Sequence, residues 1–112
     1  AVRQSPTNPR LYLNLSNILA AAGKFAKAEA AIRHAHDLAP LDPVPLVNLG
    51  DLLQRLGDGP GALEHYEQAL QLNPQSPSLL RKMLAVYDGL VEPDMERIAR
   101  LKEQLDLAGS QP

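Results

Sequence analysis

The sequence contains no cysteine and no tryptophan, and its only aromatic residues are three Tyr and one Phe. Without cysteine, disulfides and thiolate metal sites are excluded. No apolar run approaches the ~20 residues that a membrane-spanning helix needs. The formal net charge is -2, without the basic excess that is typical of nucleic-acid-binding domains. We therefore expect no disulfide, no membrane insertion and no nucleic-acid partner.

The remaining composition is that of a globular chain. With 112 residues, 45% hydrophobic and 21% charged, the sequence is long enough for one domain and too apolar for a disordered segment.

The chain repeats itself at a stride of about 34 residues. The second copy is matched by the first at Asn14, Leu15, Leu19, Gly23, Ala28, Ala35 and Pro40, which correspond to Asn48, Leu49, Leu53, Gly57, Ala62, Ala69 and Pro74. Three positions of this pattern differ: Gly50, Asp51 and Tyr66 replace Ser16, Asn17 and Ile32. A period of this length, made of two helical patterns, is typical of stacked helix-turn-helix units.

Apolar residues at steps of three and four predict six helices, at 9–22, 25–38, 43–56, 60–72, 77–90 and 93–107. Pro9 and Pro43 suit the first turn of a helix, Gly23 supplies the backbone that ends one, and Pro40 stops the second helix. The predicted fold is all-α, a right-handed superhelical solenoid of antiparallel helix pairs with about three repeats. We assign repeats to 9–42, 43–76 and 77–108, with a short tail at 109–112.

At these positions the sequence resembles the tetratricopeptide repeat family. The family pattern runs aromatic, Leu-Gly, Tyr, then Ala, Phe, Ala and Pro. Its slots are held here by Tyr12, Leu15-Ser16, Leu19, Ala28, Ile32, Ala35 and Pro40, and in the second copy by Leu46, Leu49-Gly50, Leu53, Ala62, Tyr66, Ala69 and Pro74. The resemblance implies a scaffold that packs helix pairs together and binds a partner in a concave groove.

The two ends of the chain carry further expectations. Residues 1–8 align with the end of each later repeat, which predicts the end of a preceding repeat in a longer array. A first helix without that neighbour leaves an apolar face uncovered, and we expect a homodimer through Leu11, Leu15 and Ile18. The final helix has a narrow apolar stripe and a polar remainder, as expected for a terminal capping element.

Catalytic chemistry is scarce in this sequence. His34 and His36 lie two residues apart on a helix and point to different sides, so they do not form a metal-binding pair. His65 is the remaining imidazole, and we expect all three rings to be solvated or half-buried surface groups. The sequence predicts no enzyme activity, no metal and no cofactor.

The resemblance places the binding surface on the first helix of each repeat. Removing the core-facing positions leaves candidate groove residues that mix aliphatic, amide and cationic side chains: Arg10, Leu13, Asn14, Asn17, Val47, Asn48, Asp51, Arg55, Arg81 and Lys82. Amide side chains both donate and accept hydrogen bonds, which suits the backbone of an extended peptide.

Chaperone-binding members of the family grip a C-terminal carboxylate with Lys, Asn, Asn, Lys and Arg. The corresponding residues here are Leu13, Asn17, Asn48, Ser78 and Lys82, so both amides are present and two cations are replaced. The complete clamp is therefore absent. Arg55, Arg81 and Lys82 still favour an acidic or C-terminal partner segment. The alternative is an ordinary solvated face.

The leading hypothesis is thus a non-catalytic interaction module that binds a protein or peptide partner. The alternative is a regulatory or substrate-presenting arm of an enzyme such as a glycosyltransferase, encoded elsewhere in a longer chain. Asn14 and Asn48 resemble the start of the asparagine ladder in O-linked N-acetylglucosamine transferases, and Lys82 interrupts that ladder at its third step.

Overall fold

The computed structural model describes residues 8–90 and 94–109, and within them it contains six α-helices and no strand. The helices are α1 (Pro9–Ala21), α2 (Phe25–Leu38), α3 (Pro43–Arg55), α4 (Gly59–Leu72), α5 (Pro77–Asp88) and α6 (Met95–Gly109). The all-α prediction is confirmed. The sixth helix begins two residues later than predicted. The expected repeat end at 1–7, the loop at 91–93 and residues 110–112 of the tail lie outside the described residues.

The first helix of each pair begins at a side-chain cap. The Oδ1 atoms of Asn8 and Asp42 accept hydrogen bonds from the backbone N–H of Arg10 and Val44, each at 3.0 Å. Ser76 caps α5 in the same way, with its Oγ 3.3 Å from the backbone nitrogen of Leu79. A cap of this kind satisfies an N–H group that has no partner within the helix. The 34-residue repeat of the sequence therefore includes the residues that begin a helix as well as those that form the core.

Glycine ends α1 and α3. Gly23 and Gly57 have φ angles of 78° and 85°, the left-handed backbone that side-chain-bearing residues rarely adopt. The reversal that follows each glycine lets the second helix of the pair return along the first.

The helices pack as three successive pairs, α1 with α2, α3 with α4, and α5 with α6. Each pair stacks on the next through α2 against α3 and α4 against α5, and α1 also contacts α3. The resulting slab measures 55 × 34 × 17 Å. This is the layered arrangement of a solenoid, in which each pair contacts its neighbours only.

Two clusters of buried residues form the core. The smaller cluster joins α1, α2 and α3 and contains Leu13, Ala28, Ile32, Ala35, Leu49 and Leu52. The larger cluster joins α3 to α6 and includes Tyr66, Leu80, Met83 and Leu101, which are completely buried. Leu53 packs against both clusters. The core is therefore continuous through α3.

The final helix is held by an apolar stripe and an ion pair. Leu101 is completely buried, and Ile98 and Leu105 pack beside the larger cluster. Arg97 donates to both carboxylate oxygens of Glu67 on α4, at 2.6 to 2.8 Å. The rest of α6 is largely exposed. A single docked face with a polar outside is the arrangement predicted for a capping helix.

Candidate functional site

A pocket of about 130 Å³ opens between α1 and α3, above α2. Four predicted groove residues line it: Asn17, Asn48, Asp51 and Arg55. The other lining residues are Ser16, Ala20, Ala28, Ile32 and Leu52. We call this cavity the α1–α3 pocket. It combines an apolar floor with an amide and charged rim, as small-molecule and side-chain binding sites do.

The remaining predicted groove residues lie outside this pocket. Arg10, Asn14 and Arg81 are exposed, and Val47 is half-buried beside the larger core cluster. Asn14 does not line this pocket, and the asparagine-ladder hypothesis stays a prediction.

Leu13 corrects the predicted groove. Only 8% of its surface is exposed, and its side chain belongs to the core cluster that contains Leu49 and Leu52 of α3. The physical reason is that α2 and α3 both pack against α1 and together bury an apolar side chain at this position. Leu13 therefore contributes to stability, with little surface left for a partner.

Asp51 is the centre of a polar network on α3. The Nζ atom of Lys82 lies 3.0 and 3.1 Å from its two carboxylate oxygens, which links α5 to α3. The Tyr66 hydroxyl donates a short hydrogen bond to the same carboxylate. Burial of the ring, reinforced by Asp51, raises the pKa of Tyr66 above its usual range. Lys82 is thus occupied by an internal carboxylate, which weakens its predicted role as a ligand for an external one.

Arg55 is the cation at the rim of the pocket. Its guanidinium carbon lies 5.4 Å from the centre of the Phe25 ring, a cation–π contact that fixes the side chain against α2. Within residues 8–90 and 94–109, the guanidinium group makes no hydrogen bond or ion pair. Its N–H edges remain suited to a carboxylate or carbonyl of a partner.

The three histidines have structural contacts or partial burial. The rings of His34 and Tyr12 lie 4.2 Å apart between their centroids, and Nδ1 of His65 lies 2.9 Å from the carbonyl oxygen of Gly61. His34 is exposed, and His36 and His65 are half-buried. Among residues 8–90 and 94–109, no three His, Asp or Glu residues form a group that could hold a metal ion. Over the same residues, no helix has the length and apolar character needed to cross a bilayer.

The apolar face expected on α1 is exposed. Leu11 is 51% exposed, Leu15 45% and Ile18 66%. The corresponding side chain of the second repeat, Leu49, is only 3% exposed because α2 packs against α3.

Comparison with known proteins decides the family. Sequence profiles described as tetratricopeptide repeat match residues 9–40 and 44–76. The chain belongs to the tetratricopeptide repeat family. Both profile matches end before α5, where the repeat pattern weakens.

Solved structures share this tetratricopeptide fold. The first TPR of Spaghetti (RPAP3), bound to the HSP90 peptide SRMEEVD, has a TM-score of 0.77 at 17% identity, covering 100% of this chain and 87% of that one. PilF of Pseudomonas aeruginosa has a TM-score of 0.71 at 21% identity, covering 95% of this chain and 48% of that one. MamA has a TM-score of 0.72 at 17% identity, with 92% and 58% coverage. At these identities the likeness concerns the fold. A search of curated proteins found no match.

Proposed function

We propose that this tetratricopeptide chain is a non-catalytic interaction module that binds an extended partner segment along α1, α3 and α5. The observation that carries the proposal is the α1–α3 pocket, which brings Asn17, Asn48 and Arg55 around an apolar floor. The amides supply donors and acceptors for a peptide backbone, and the pocket supplies apolar contact area.

The preferred partner is an acidic or C-terminal segment whose carboxylate meets Arg55. Lys82 is paired with Asp51, so the exposed Arg10, Arg55 and Arg81 are the predicted groove cations that remain for a partner. A charge-assisted hydrogen bond from a guanidinium group to a carboxylate is stronger than a neutral one. The acidic peptide bound by the related RPAP3 domain has this character.

The test is calorimetry with a peptide ending in Glu-Glu-Val-Asp, once with a free C-terminus and once amidated. We expect Arg55→Gln to weaken binding of the free acid about 10-fold, the size of a lost hydrogen bond to a charged group. Arg100→Gln is the matched control, because Arg100 is an exposed arginine on α6. Binding heat that is absent, or equal for Arg55→Gln and the unaltered chain, would contradict the acidic-partner proposal.

Self-association through α1 is a second proposal. Leu11, Leu15 and Ile18 form a contiguous exposed stripe, and a second copy of the same helix offers the same apolar surface in return. We expect the chain to be dimeric in light scattering at high concentration and monomeric after Leu11→Lys with Ile18→Lys. Leu41→Lys is the control, because Leu41 is 80% exposed and lies outside α1. A monomer at every concentration would exclude the dimer.

A further inference from the structure

The two junctions between stacked helix pairs differ at a small set of equivalent positions. At the second junction, Gly50, Asp51, Gln54, Tyr66 and Lys82 face one another across α3, α4 and α5. One stride earlier, the same positions hold Ser16, Asn17, Ala20, Ile32 and Asn48, and all five line the α1–α3 pocket.

Tyr66 occupies the part of the second junction that lies beside Gly50. Its ring is fully buried against Gly50, and its hydroxyl donates to Asp51 and lies 3.4 Å from Oε1 of Gln54. The acceptor of the phenol and the cation that balances it, Lys82, are both supplied by the chain itself. This junction is therefore an internal example of an aromatic ring bound between two stacked pairs.

The first junction keeps the surrounding shape and lacks the ring. Ile32 is smaller than tyrosine, and its side chain ends on the floor of the pocket. Ser16 has its hydroxyl 2.7 Å from the carbonyl oxygen of Leu13, so it is satisfied locally and does not fill the space. Residues that line the α1–α3 pocket thus stand at the positions that surround the Tyr66 ring and its hydroxyl in the next repeat.

Ser16 and Ile32 replace the Gly50 and Tyr66 of the second repeat, and the two replacements depend on each other. A Cβ atom placed on Gly50 would lie 2.5 Å from Cε1 of Tyr66, closer than real atoms approach. At the position of Gly50 and Ser16, a residue with a Cβ atom is compatible with an isoleucine at the facing position. It is incompatible with a tyrosine there. The pocket is thus built by a matched pair of residues.

We infer that the α1–α3 pocket accepts an aromatic side chain of the partner segment, with tyrosine preferred. This inference rests on the proposed peptide-binding function and names one residue type that the peptide presents. The floor of Ala20, Ala28, Ile32 and Leu52 provides apolar contacts to the ring. The rim carries the amides of Asn17 and Asn48, which can accept a hydrogen bond from the phenol O–H and donate one to its oxygen.

The size of the pocket agrees with this occupant. Its volume of about 130 Å³ is close to that of an engineered protein cavity, about 150 Å³, which binds benzene. The pocket opens to solvent on the groove side, so a side chain can enter from a bound peptide without unfolding the pair.

The first experiment uses p-cresol, the side-chain analogue of tyrosine, in an NMR titration of the unaltered chain. We expect saturable shifts of the Asn17 and Asn48 side-chain amides and of the Ile32 methyl groups at millimolar p-cresol. Ser16→Gly with Ile32→Tyr rebuilds the filled junction and should abolish these shifts. Gln68→Tyr adds the same phenol at an exposed site on α4 and should leave them unchanged. Non-saturable shifts, stronger binding of isoamyl alcohol, or equal shifts in the filled variant would each overturn the inference.

The second experiment separates this subsite from the proposed function. Two Glu-Glu-Val-Asp peptides are compared by calorimetry, each with a short N-terminal extension that differs only by Tyr or Ala. The tyrosine should tighten binding by about 10- to 100-fold, the range expected for burying one large side chain, and only in the unfilled protein. If both peptides bind equally well, the peptide-binding proposal stands and the aromatic subsite is wrong. If p-cresol binds and neither peptide does, the subsite stands and the peptide-binding proposal fails.

Discussion

Position 66 shows how one side chain decides the character of a repeat. The ring of Tyr66 packs within the α3–α4 pair, and its hydroxyl donates a hydrogen bond to Asp51. Lys82 of the next pair binds the same carboxylate. Ile32 at the equivalent position does none of this, and the space above it stays open. At this position a tyrosine therefore packs into the space, whereas an isoleucine leaves it open for a ligand.

Gly50→Ala tests the close approach of Tyr66. The added methyl group would lie 2.5 Å from the ring, so we expect a loss of about 1–3 kcal/mol of stability in urea unfolding. Tyr66→Ile in the same chain should remove most of the penalty of Gly50→Ala, giving a coupling energy of at least about 1 kcal/mol. Gly89→Ala is the control, since a Cβ atom there would make only ordinary contacts at 3.6 Å or more. If Gly50→Ala lowers the free energy of unfolding equally in the unaltered chain and in the Tyr66→Ile variant, this account is contradicted.

The pH dependence of stability follows from the same hydroxyl. Burial, together with Asp51, raises the pKa of Tyr66 in the folded state, so the unfolded chain releases this proton first as the pH rises. The contribution of Tyr66 is complete below about pH 10 and falls above it, by about 1.4 kcal/mol per pH unit.

Urea unfolding at pH 9, 10 and 11 measures this slope. Tyr66→Phe should be less stable at neutral pH and should lose stability less steeply above pH 10. Burial also raises the pKa of Tyr87, with Glu67 adding to the effect, so some slope should remain in that variant. An unchanged slope in Tyr66→Phe would show that its hydroxyl titrates normally.

The sequence predicts the polar residues at the rim of the pocket and does not predict the residues of its floor. Asn17, Asn48, Asp51 and Arg55 were predicted because they face away from the core stripe of their helices. Ser16, Ala28 and Ile32 were assigned to core slots, which hid the fact that their small volume leaves a cavity. The informative signal was the joint change of Gly50 and Tyr66 to Ser16 and Ile32. The pairing of Lys82 with Asp51 needs three dimensions, since the two residues lie in different pairs.

Among the helices, α6 depends most clearly on one polar contact. The ion pair of Arg97 and Glu67 is bidentate and only 20% and 35% exposed, whereas Arg100 and Glu96 on the outer surface are 59% and 82% exposed at 3.5 Å. Partly desolvated bidentate pairs contribute more than exposed single contacts.

Arg97→Ala should therefore destabilise α6 by about 1–2 kcal/mol, visible as faster amide exchange over Met95–Gly109. Arg100→Ala is the matched control, with an expected effect below about 0.5 kcal/mol. If the two variants exchange alike, the apolar stripe alone holds the helix.

The helix boundaries were the most predictable part of the fold. Proline at the start and glycine or proline at the end mark them in the sequence, and α2 spans Phe25–Leu38 as predicted. The sequence predicts a start of α6 at Pro93, two residues before the observed start at Met95. Asp94 instead accepts a hydrogen bond from the backbone N–H of Arg97 at 3.0 Å, which caps a helix beginning at Met95.

At the scale of the whole molecule, stability should be graded along the stack. Among residues 8–90 and 94–109, the core cluster that includes α1 has six buried residues, and the cluster that joins α3 to α6 has twelve. In a solenoid each pair is stabilised by itself and its neighbours, so the pair with the smaller cluster should open first.

Amide exchange at low protein concentration measures this gradient. We expect the slowest amides of α1 to exchange at least about 10-fold faster than those of α3 and α4, which corresponds to about 1.4 kcal/mol or more. Raising the concentration should slow exchange in α1 selectively if a second copy covers Leu11 and Ile18. Uniform exchange rates would instead indicate that the stack unfolds as one unit.

The overall architecture was predictable because a constant stride of core residues leaves few alternatives to stacked pairs. The identity of a partner was not predictable, since the residues that recur every 34 positions are those that pack the helices together. The distinctive residues of this chain are those at which the first repeat differs from the second, namely Ser16, Asn17 and Ile32.

The thickness of the slab, 17 Å, has a consequence for how such a protein can change. The slab is thin because each helix pair packs only against the pairs beside it, so a substitution in one pair affects at most two other pairs. New recognition properties can therefore arise at one junction while the others keep their packing, and the chain can acquire them one at a time.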